Sequence, residues 1–236
     1  MMKVDEVMAE LERLGNEQTK KTLMRHGVPE PLFGVRIGDL KPLRTQLRGN
    51  HPMALALYAT GHSDARYLAG LIADEGVVTR SELNRWLREA KCSLHATTTV
   101  SALAAESPHA LALARKWLES PKELVAAAGW CTLSHHLSLV GDDWLEPEWL
   151  ESLVERVIDE IHEERNEVKA AMNGFLIALG SFCPSFTKTV RKAAIRIGPI
   201  DVDRGATACQ TPDIVTELDK VEKRGRLGKT KKAARC

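Results

Sequence analysis

The sequence lacks three features that would place it in other classes of protein. Its five cysteines are an odd number and lie far apart, which argues against a disulfide framework and predicts reduced thiols. Residues 1–14 show a charged amphipathic pattern without the apolar centre of a signal peptide. The most apolar stretch, residues 170–183, is interrupted by Asn173 and Gly174 and is too short to cross a bilayer. We therefore expect a cytoplasmic protein.

The sequence also has no run in which apolar and polar residues alternate, so we predict no sheet. Apolar residues recur instead at helical spacing, most clearly over residues 150–161 and 168–179. We predict helices that begin near residues 2, 16, 38, 51, 64, 80, 94, 108, 121, 147, 166, 184 and 212. A helix pair then takes about 40 residues, the period of HEAT-type repeats. The predicted fold is all-α, an α-solenoid of antiparallel helix pairs with a concave basic face.

Capping signals mark several of the predicted helix starts. Ser107-Pro108, Ser120-Pro121 and Thr211-Pro212 each place a capping side chain before a proline, and Cys183-Pro184 places proline in the same way. Thr79 and Glu82 have the spacing of a capping box. These signals favour short connections between neighbouring helices.

Charge is distributed unevenly along the chain. Residues 142–167 hold eleven acids and two bases, whereas residues 223–236 hold seven bases and no acid. The acidic run is typical of a solvated helix face, and it would also serve as the surface for a protein partner. We predict one helical-repeat domain over residues 1–225 and a basic tail, residues 226–236, that stays disordered until it meets an anion.

The segment from Phe33 to Arg44 combines two glycines, a helix start and a row of cations. Glycine allows close approach of the backbone, and a helix N-terminus offers unpaired N–H groups, so the segment is equipped to hold a phosphate. The alternative is a helix–helix connection with a solvated basic face. Nucleic-acid binding is the function that the basic residues favour. The candidate DNA-binding residues are Arg36, Lys41, Arg44, Lys91, Lys169, Lys188, Arg191, Lys229, Lys231 and Lys232.

Two further sets of side chains suggest specific chemistry. Trp130 is a candidate for stacking on a damaged nucleotide. The pairs Cys92 with His95 and Cys131 with His135 each share a helix face, and adjacent helices could bring all four to a zinc ion. The pairs lie far apart in sequence and neither has the CxxC form, so we assign no metal and no cofactor, and the sequence alone does not decide the zinc question.

The stretch Phe33-Gly34-Val35-Arg36-Ile37-Gly38-Asp39-Leu40-Lys41-Pro42-Leu43 resembles the entry segment of the AlkD-like DNA alkylation repair family, the alkylpurine DNA glycosylases with HEAT-like repeats. The helical rhythm of residues 1–200 agrees with that resemblance. It implies an all-α solenoid that holds double-stranded DNA in a basic groove. It also implies excision of N3- or N7-alkylated purines, for which a carboxylate stabilises the cationic sugar.

The chain departs from the family pattern at the positions that carry the chemistry. Thr98 stands where the resemblance places the catalytic aspartate, and residues 92–105 contain no acid. Ala127 stands near the place of the family's arginine. Phe175 replaces a later groove tryptophan of the family, so the resemblance makes Phe175 a second candidate for stacking on a damaged nucleotide. Glu89, Glu106 and the pair Asp74-Glu75 flank the helix without matching its register. The catalytic residue is therefore unknown.

Three functions remain open on the sequence. The first is a DNA-binding protein of the alkylation repair type that holds duplex DNA and excises alkylated purines, which leaves open whether the chain is an enzyme. The second is a non-catalytic binder of damaged or branched DNA. The third is a helical-repeat scaffold that binds a protein through the acidic face, residues 142–167.

Overall fold

The structure is a computed structural model that describes residues 2–142, 146–205 and 207–235. Within these ranges the chain forms thirteen α-helices and no strand, which confirms the predicted all-α class. The helices are α1 (Val4–Leu14), α2 (Glu17–Arg25), α3 (Lys41–Leu47), α4 (His51–Ala59), α5 (Ser63–Ile72), α6 (Arg80–Glu89), α7 (Ser101–Glu106), α8 (Ala110–Leu118), α9 (Glu123–Val140), α10 (Pro147–Glu160), α11 (Asn166–Phe182), α12 (Thr187–Ile197) and α13 (Ile214–Lys223). Two 3-10 segments, Ile37–Leu40 and Pro184–Phe186, precede α3 and α12, and a π-helical segment, Leu94–Val100, runs directly into α7.

Five elements, of which the π-helical segment and α7 are continuous, pack side by side and form what we call the central row. α5 contacts the π-helical segment and α7, these contact α9, and α9 contacts α11. The helices α4, α6, α8 and α12 each pack against a member of this row. We refer to α6, α8 and α12 as outer helices. This succession of packed helix pairs is the arrangement predicted for an α-solenoid.

The apolar core is divided into two large clusters that meet near α8 and α9. Trp86 and Trp117 belong to the first cluster, and Trp130 and Phe175 belong to the second. In the first cluster the rings of Tyr58 and Trp86 are stacked with centroids 4.1 Å apart. The Tyr58 hydroxyl donates a hydrogen bond of 2.7 Å to the Trp86 carbonyl oxygen, so its polar end is satisfied inside the core.

The tail packs against the helices, which corrects the prediction that it is disordered. Arg235 is only 8% exposed, and its guanidinium donates to the Glu106 carboxylate with Nε and Oε2 2.7 Å apart. The same guanidinium donates to the carbonyl oxygens of Gly70 and Ala73 at 3.0 and 2.7 Å. A basic segment stays disordered only when the folded protein offers no hydrogen-bond acceptors to its cations. Here Glu106 and the carbonyl oxygens at the end of α5 are such acceptors. Cys236, the last residue of the predicted tail, lies outside the described residues.

In the part of the chain that the structure describes, no single helix is long and apolar enough to cross a membrane. One bent pair of helical segments would be long and apolar enough, by length and composition only: Asn166–Phe182 and Pro184–Ile197, which meet at an angle of 112°.

Candidate nucleic-acid interface

The backbone amides of the Phe33–Arg44 segment are occupied by a carboxylate of the protein. The side chain of Asp64, the second residue of α5, accepts from the N–H groups of Phe33, Gly34 and Val35 at 2.7, 3.2 and 2.9 Å. Asp64 is 4% exposed, so its charge is compensated mainly by these three donors. These amides are therefore not free to bind a phosphate, which corrects that part of the phosphate-loop interpretation.

Gly34 is required in this segment by close packing against α2. Its φ is +81°, a left-handed conformation that favours glycine. A Cβ at this position would lie 2.4 Å from the backbone nitrogen of Lys20, so the two backbones are in contact. Gly34 thus allows α2 to pack closely against the segment that binds Asp64 at the start of α5. Further along the segment, the side chains of Arg36 and Lys41 are exposed.

The end of α2 and the turn that follows it, residues 26–28, line a cleft with a volume of about 510 Å³. The other lining residues come from Ser93 and the π-helical segment, the first turn of α11 and the loop at residues 203–205. Apolar, hydroxyl, acidic and basic side chains all contribute, including Leu23, Arg25, Val28, Ser93, Leu94, Thr97, Thr98, Glu167, Asp203 and Arg204. Such a mixed surface suits a ligand with both charged and apolar parts.

Thr98 faces this cleft. It is exposed and lies in the π-helical segment, a rare conformation that is frequent at functional sites. Ala127, in contrast, is fully buried in α9 and offers nothing to the surface. The position that the family resemblance assigns to an acid therefore lies at the cleft and carries a hydroxyl.

Two carboxylates line the cleft, those of Asp203 and Glu167, and no sequence signal singled out Glu167. Its Oε2 accepts from the Ser93 hydroxyl at 2.6 Å, and Ser93 also lies 3.1 Å from the Thr97 hydroxyl oxygen. The backbone N–H of Glu167 donates to Glu123 Oε1 at 2.8 Å, which holds the first turn of α11 in place. In the sequence Glu167 ends the acidic run, and that position alone did not distinguish it from a solvated acid.

Trp130 and Phe175 do not reach the cleft, which corrects their assignment as lesion-stacking residues. Both are 0% exposed, and their ring centroids lie 5.0 Å apart inside the second core cluster. An aromatic pair in this arrangement stabilises the packing of α9 against α11. Neither ring has a free face for a nucleotide.

The predicted DNA-binding cations occupy several different surfaces. Arg191 on α12 is neutralised by Asp219 and Glu222, at 2.7 and 2.9 Å, so it is a poor phosphate ligand. Arg44 donates to the backbone oxygen of Arg235 at 3.1 Å. The remaining predicted cations form no salt bridge within the described part of the chain: Arg36, Lys41, Lys91, Lys188, Lys229, Lys231 and Lys232 are exposed, and Lys169 is half-buried.

At the cleft itself two arginines supply positive charge. Arg25, at the end of α2, donates to the Thr22 hydroxyl at 3.4 Å. Arg204, in the loop at residues 203–205, has a buried Nε with no hydrogen-bond partner among the described residues. Neither is among the candidate DNA-binding residues predicted from the sequence, although Arg25 precedes the Phe33–Arg44 segment in the same basic stretch.

The proposed zinc ligands do not converge. No group of three or more His, Cys, Asp or Glu side chains in the described ranges could hold a metal ion. Burial raises the pKa of Cys131 to about 12 and lowers the pKa of His95 to about 4. Both side chains are therefore neutral near pH 7, as expected for groups packed in a core, and Cys92, Cys131, Cys183 and Cys209 are free thiols.

The flanking acids and the acidic face are largely engaged within the protein. Glu106 binds Arg235, so it is not a free acid beside the π-helical segment. In the acidic run, cations of the protein pair with several of the carboxylates; the pairs are Arg115 with Glu146, Arg196 with Glu155, Arg156 with Glu160 and Arg165 with Glu164. Residues 143–145 of the run lie outside the described residues, and a protein partner for this face stays a prediction.

The family of the chain follows from comparison with known proteins. The sequence model of the DNA alkylation repair enzyme family matches residues 7–189. Two curated relatives, the uncharacterized proteins Lin0241 of Listeria innocua and Lmo0209 of Listeria monocytogenes, are each 31% identical over 95% of this chain and 99% of their own.

A solved structure covers all of this chain and is covered by it completely, with 34% sequence identity and a TM-score of 0.93. It is described as a new family of proteins related to the HEAT-like repeat DNA glycosylases with affinity for branched DNA structures. This similarity confirms the predicted HEAT-like repeat fold. The chain belongs to the DNA alkylation repair enzyme family.

Proposed function

We propose that this protein binds branched DNA and does not excise bases. One observation carries the proposal: the cleft presents the hydroxyl of Thr98 where the family resemblance places a catalytic carboxylate, while Arg25 and Arg204 line the same cleft and the buried Nε of Arg204 has no hydrogen-bond partner among the described residues. The similar solved structure, described as having affinity for branched DNA, supports the choice of ligand. Binding is thus retained without the acid that glycosidic bond cleavage requires.

The electrostatics of the cleft agree with contact at a branch point. Arg25 and Arg204 come from segments far apart in the sequence and both line the cleft, so both are available to phosphates of a bound DNA. Glu167 and Asp203 line the same cleft and repel phosphate from their own positions. The apolar side chains Leu23 and Leu94 offer contact to an unstacked base instead.

The first test is a titration against a four-way junction and a linear duplex of the same length and composition. We expect the junction to bind at least about tenfold more tightly, a difference of about 1.4 kcal/mol. Binding should weaken as the salt concentration increases. Arg25→Ala should reduce the magnitude of the slope of log K against log salt by about 1, because one phosphate contact is lost. Fluorescence anisotropy at several salt concentrations measures both quantities.

The matched control for this test is Arg88→Ala. Arg88 is an exposed cation that forms no salt bridge with the residues the structure describes, but it lies on the outer helix α6. Its removal should leave the salt slope unchanged. Equal affinity of the wild-type protein for junction and duplex would contradict the proposal, and absence of any DNA binding at low salt would favour the protein scaffold.

The second candidate function, excision of alkylated purines, is favoured by Glu167, because this carboxylate lies in the same cleft as Thr98. Its Oε2 is already engaged by Ser93, which reduces its capacity to stabilise a cationic sugar. With excess protein and DNA that contains N7-methylguanine, we therefore expect no release of the base above the spontaneous rate. Chromatography of the released bases measures this.

Release of the base by the wild-type protein, abolished in Glu167→Gln, would overturn the non-catalytic part of the proposal and assign the chemistry to Glu167. Glu163→Gln removes a nearby exposed carboxylate outside the cleft and serves as the control.

A further inference from the structure

The tail runs across the C-terminal ends of the central row. The N–H of Gly228 donates to the Ser181 carbonyl oxygen at 2.9 Å, in the last turn of α11. The N–H of Lys231 donates to the Ser138 carbonyl oxygen at 2.7 Å, near the end of α9. The N–H groups of Ala234 and Arg235 reach Glu106, the last residue of α7, at 2.7 and 2.9 Å.

The sequence of the tail explains why it docks at this edge. The last turns of helices present carbonyl groups without intrahelical partners and the negative end of the helix dipole. A cationic segment that also donates backbone hydrogen bonds is stabilised there, and residues 226–235 have five bases and no acid. The guanidinium of Arg235 completes the attachment by binding the Gly70 and Ala73 carbonyl oxygens at the end of α5.

Docking leaves three lysines of the tail exposed to solvent, and the Lys231 ammonium lies 5.5 Å from the centre of the Phe182 ring. Lys229, Lys231 and Lys232 are exposed and form no salt bridge within the described ranges. The carboxylates of Glu75 and Glu106, which contact the tail, are both paired with Arg235.

Helix α3 extends this line of positive charge. Arg44 donates to the backbone oxygen of Arg235 at 3.1 Å, which joins α3 to the end of the tail. Lys41 and Arg48 lie on the same short helix or at its end and are exposed and unpaired within the described residues. We call this set the basic ridge; its members are Lys41, Arg44, Arg48, Lys229, Lys231 and Lys232.

The basic ridge and the cleft lie at opposite ends of the helices that form the central row. The cleft includes Glu167 in the first turn of α11, whereas the tail crosses the last turn of the same helix at Ser181. Both residues belong to α11 and are 14 positions apart in the sequence, so the two surfaces are separated by about 21 Å along its axis. The tail bonds at residues 228, 231 and 234–235 fix the lysines to rigid helices, so the ridge is a preformed cationic surface.

We propose that the basic ridge binds the sugar–phosphate backbone of a second duplex arm when the first arm of a branched DNA lies at the cleft. This inference rests on the proposed function and adds a reason for the preference for branches. A linear duplex held at the cleft engages one surface, whereas a junction offers a second arm to the other. Two linked contacts raise the overall affinity far above that of either contact alone.

The test is the triple variant Lys229→Ala, Lys231→Ala, Lys232→Ala. We expect its affinity for a four-way junction to fall by about 10- to 100-fold and its salt slope to decrease by about 3, since each lysine contacts one phosphate. Its affinity for a short linear duplex should change by less than about threefold. The lysines are exposed, so the melting temperature should stay close to that of the wild-type protein.

The matched control replaces Arg88, Lys116 and Lys192 by alanine. These three exposed cations lie on the outer helices α6, α8 and α12, and the variant loses the same net charge. This control variant should lower the affinity for the junction and the affinity for the duplex by the same small factor. The inference is overturned when the tail variant binds the junction as tightly as the wild-type protein, or weakens both DNAs by the same factor. A wild-type protein without preference for the junction contradicts the proposed function itself, before any variant is compared.

Discussion

Replacement of Asp64 by alanine is expected to reduce the free energy of unfolding by about 3 to 5 kcal/mol. The carboxylate accepts three backbone N–H groups, those of Phe33, Gly34 and Val35, and is itself 4% exposed. Each buried donor left without an acceptor costs about 1 to 3 kcal/mol, and partial entry of water reduces the sum. Urea unfolding followed by tryptophan fluorescence measures the loss.

Two variants separate this effect from a general loss of negative charge. Asp64→Asn keeps one side-chain oxygen as an acceptor and should cost about half as much as the alanine variant. Asp39→Ala removes an exposed acid from the same segment and should change stability by less than about 0.5 kcal/mol. An Asp64→Ala protein within about 1 kcal/mol of the wild type would show that the three amides find other acceptors.

The helices were predictable because their signals are local. All thirteen predicted starts lie within about three residues of an observed helical segment, since apolar spacing and capping residues act over one or two turns. The capping box of Thr79 and Glu82 is present as predicted: Thr79 Oγ1 accepts from the Glu82 N–H at 3.2 Å, and Glu82 accepts from the Thr79 N–H at 2.8 Å.

The sequence predicted that the two Ser-Pro pairs stand at the first positions of α8 and α9, but both pairs precede the helix. α8 and α9 begin at Ala110 and Glu123, two residues after each proline. The Ser107 and Ser120 hydroxyls accept from backbone N–H groups two residues on, each at 3.2 Å, and so form a turn before the helix. A Ser-Pro pair is compatible with both arrangements, which the sequence does not distinguish.

At the candidate site, too, the features set within one helix were predictable and the features set by packing between helices were not. The absence of an acid near Thr98 is a property of one helix and was read from the sequence. The approach of Glu167 to Ser93 joins residues 74 positions apart, and the occupation of the Phe33–Val35 amides depends on Asp64, about 30 positions on. Both depend on how helices pack, which residue spacing within one helix does not report.

Replacement of Arg235 by methionine is expected to release the tail from the helices. The guanidinium binds Glu106, Glu75 and two carbonyl oxygens of α5, so its loss leaves a partly buried carboxylate without a cation. Breaking a buried pair of this kind costs about 3 kcal/mol, which corresponds to about a 100-fold loss of protection for the tail amides. Hydrogen–deuterium exchange of residues 226–235 measures that protection, and Arg235→Lys, which keeps the charge but not the planar fork, should retain part of it.

Acidification should release the tail of the wild-type protein in the same way. Burial alone would raise the pKa of Glu106, but hydrogen bonds and the charge of Arg235 outweigh it and hold the pKa below its ordinary value of 4.5. A carboxyl whose pKa is lowered on docking stabilises the docked tail above that ordinary value, and this contribution is lost as the pH falls through the lowered pKa. After correction for intrinsic exchange rates, tail protection should therefore be constant near neutral pH and decrease below about pH 4.5. Arg235→Met should show little protection at any pH, so wild-type protection in that variant would mean that the backbone hydrogen bonds at residues 228 and 231 hold the tail without the ion pair.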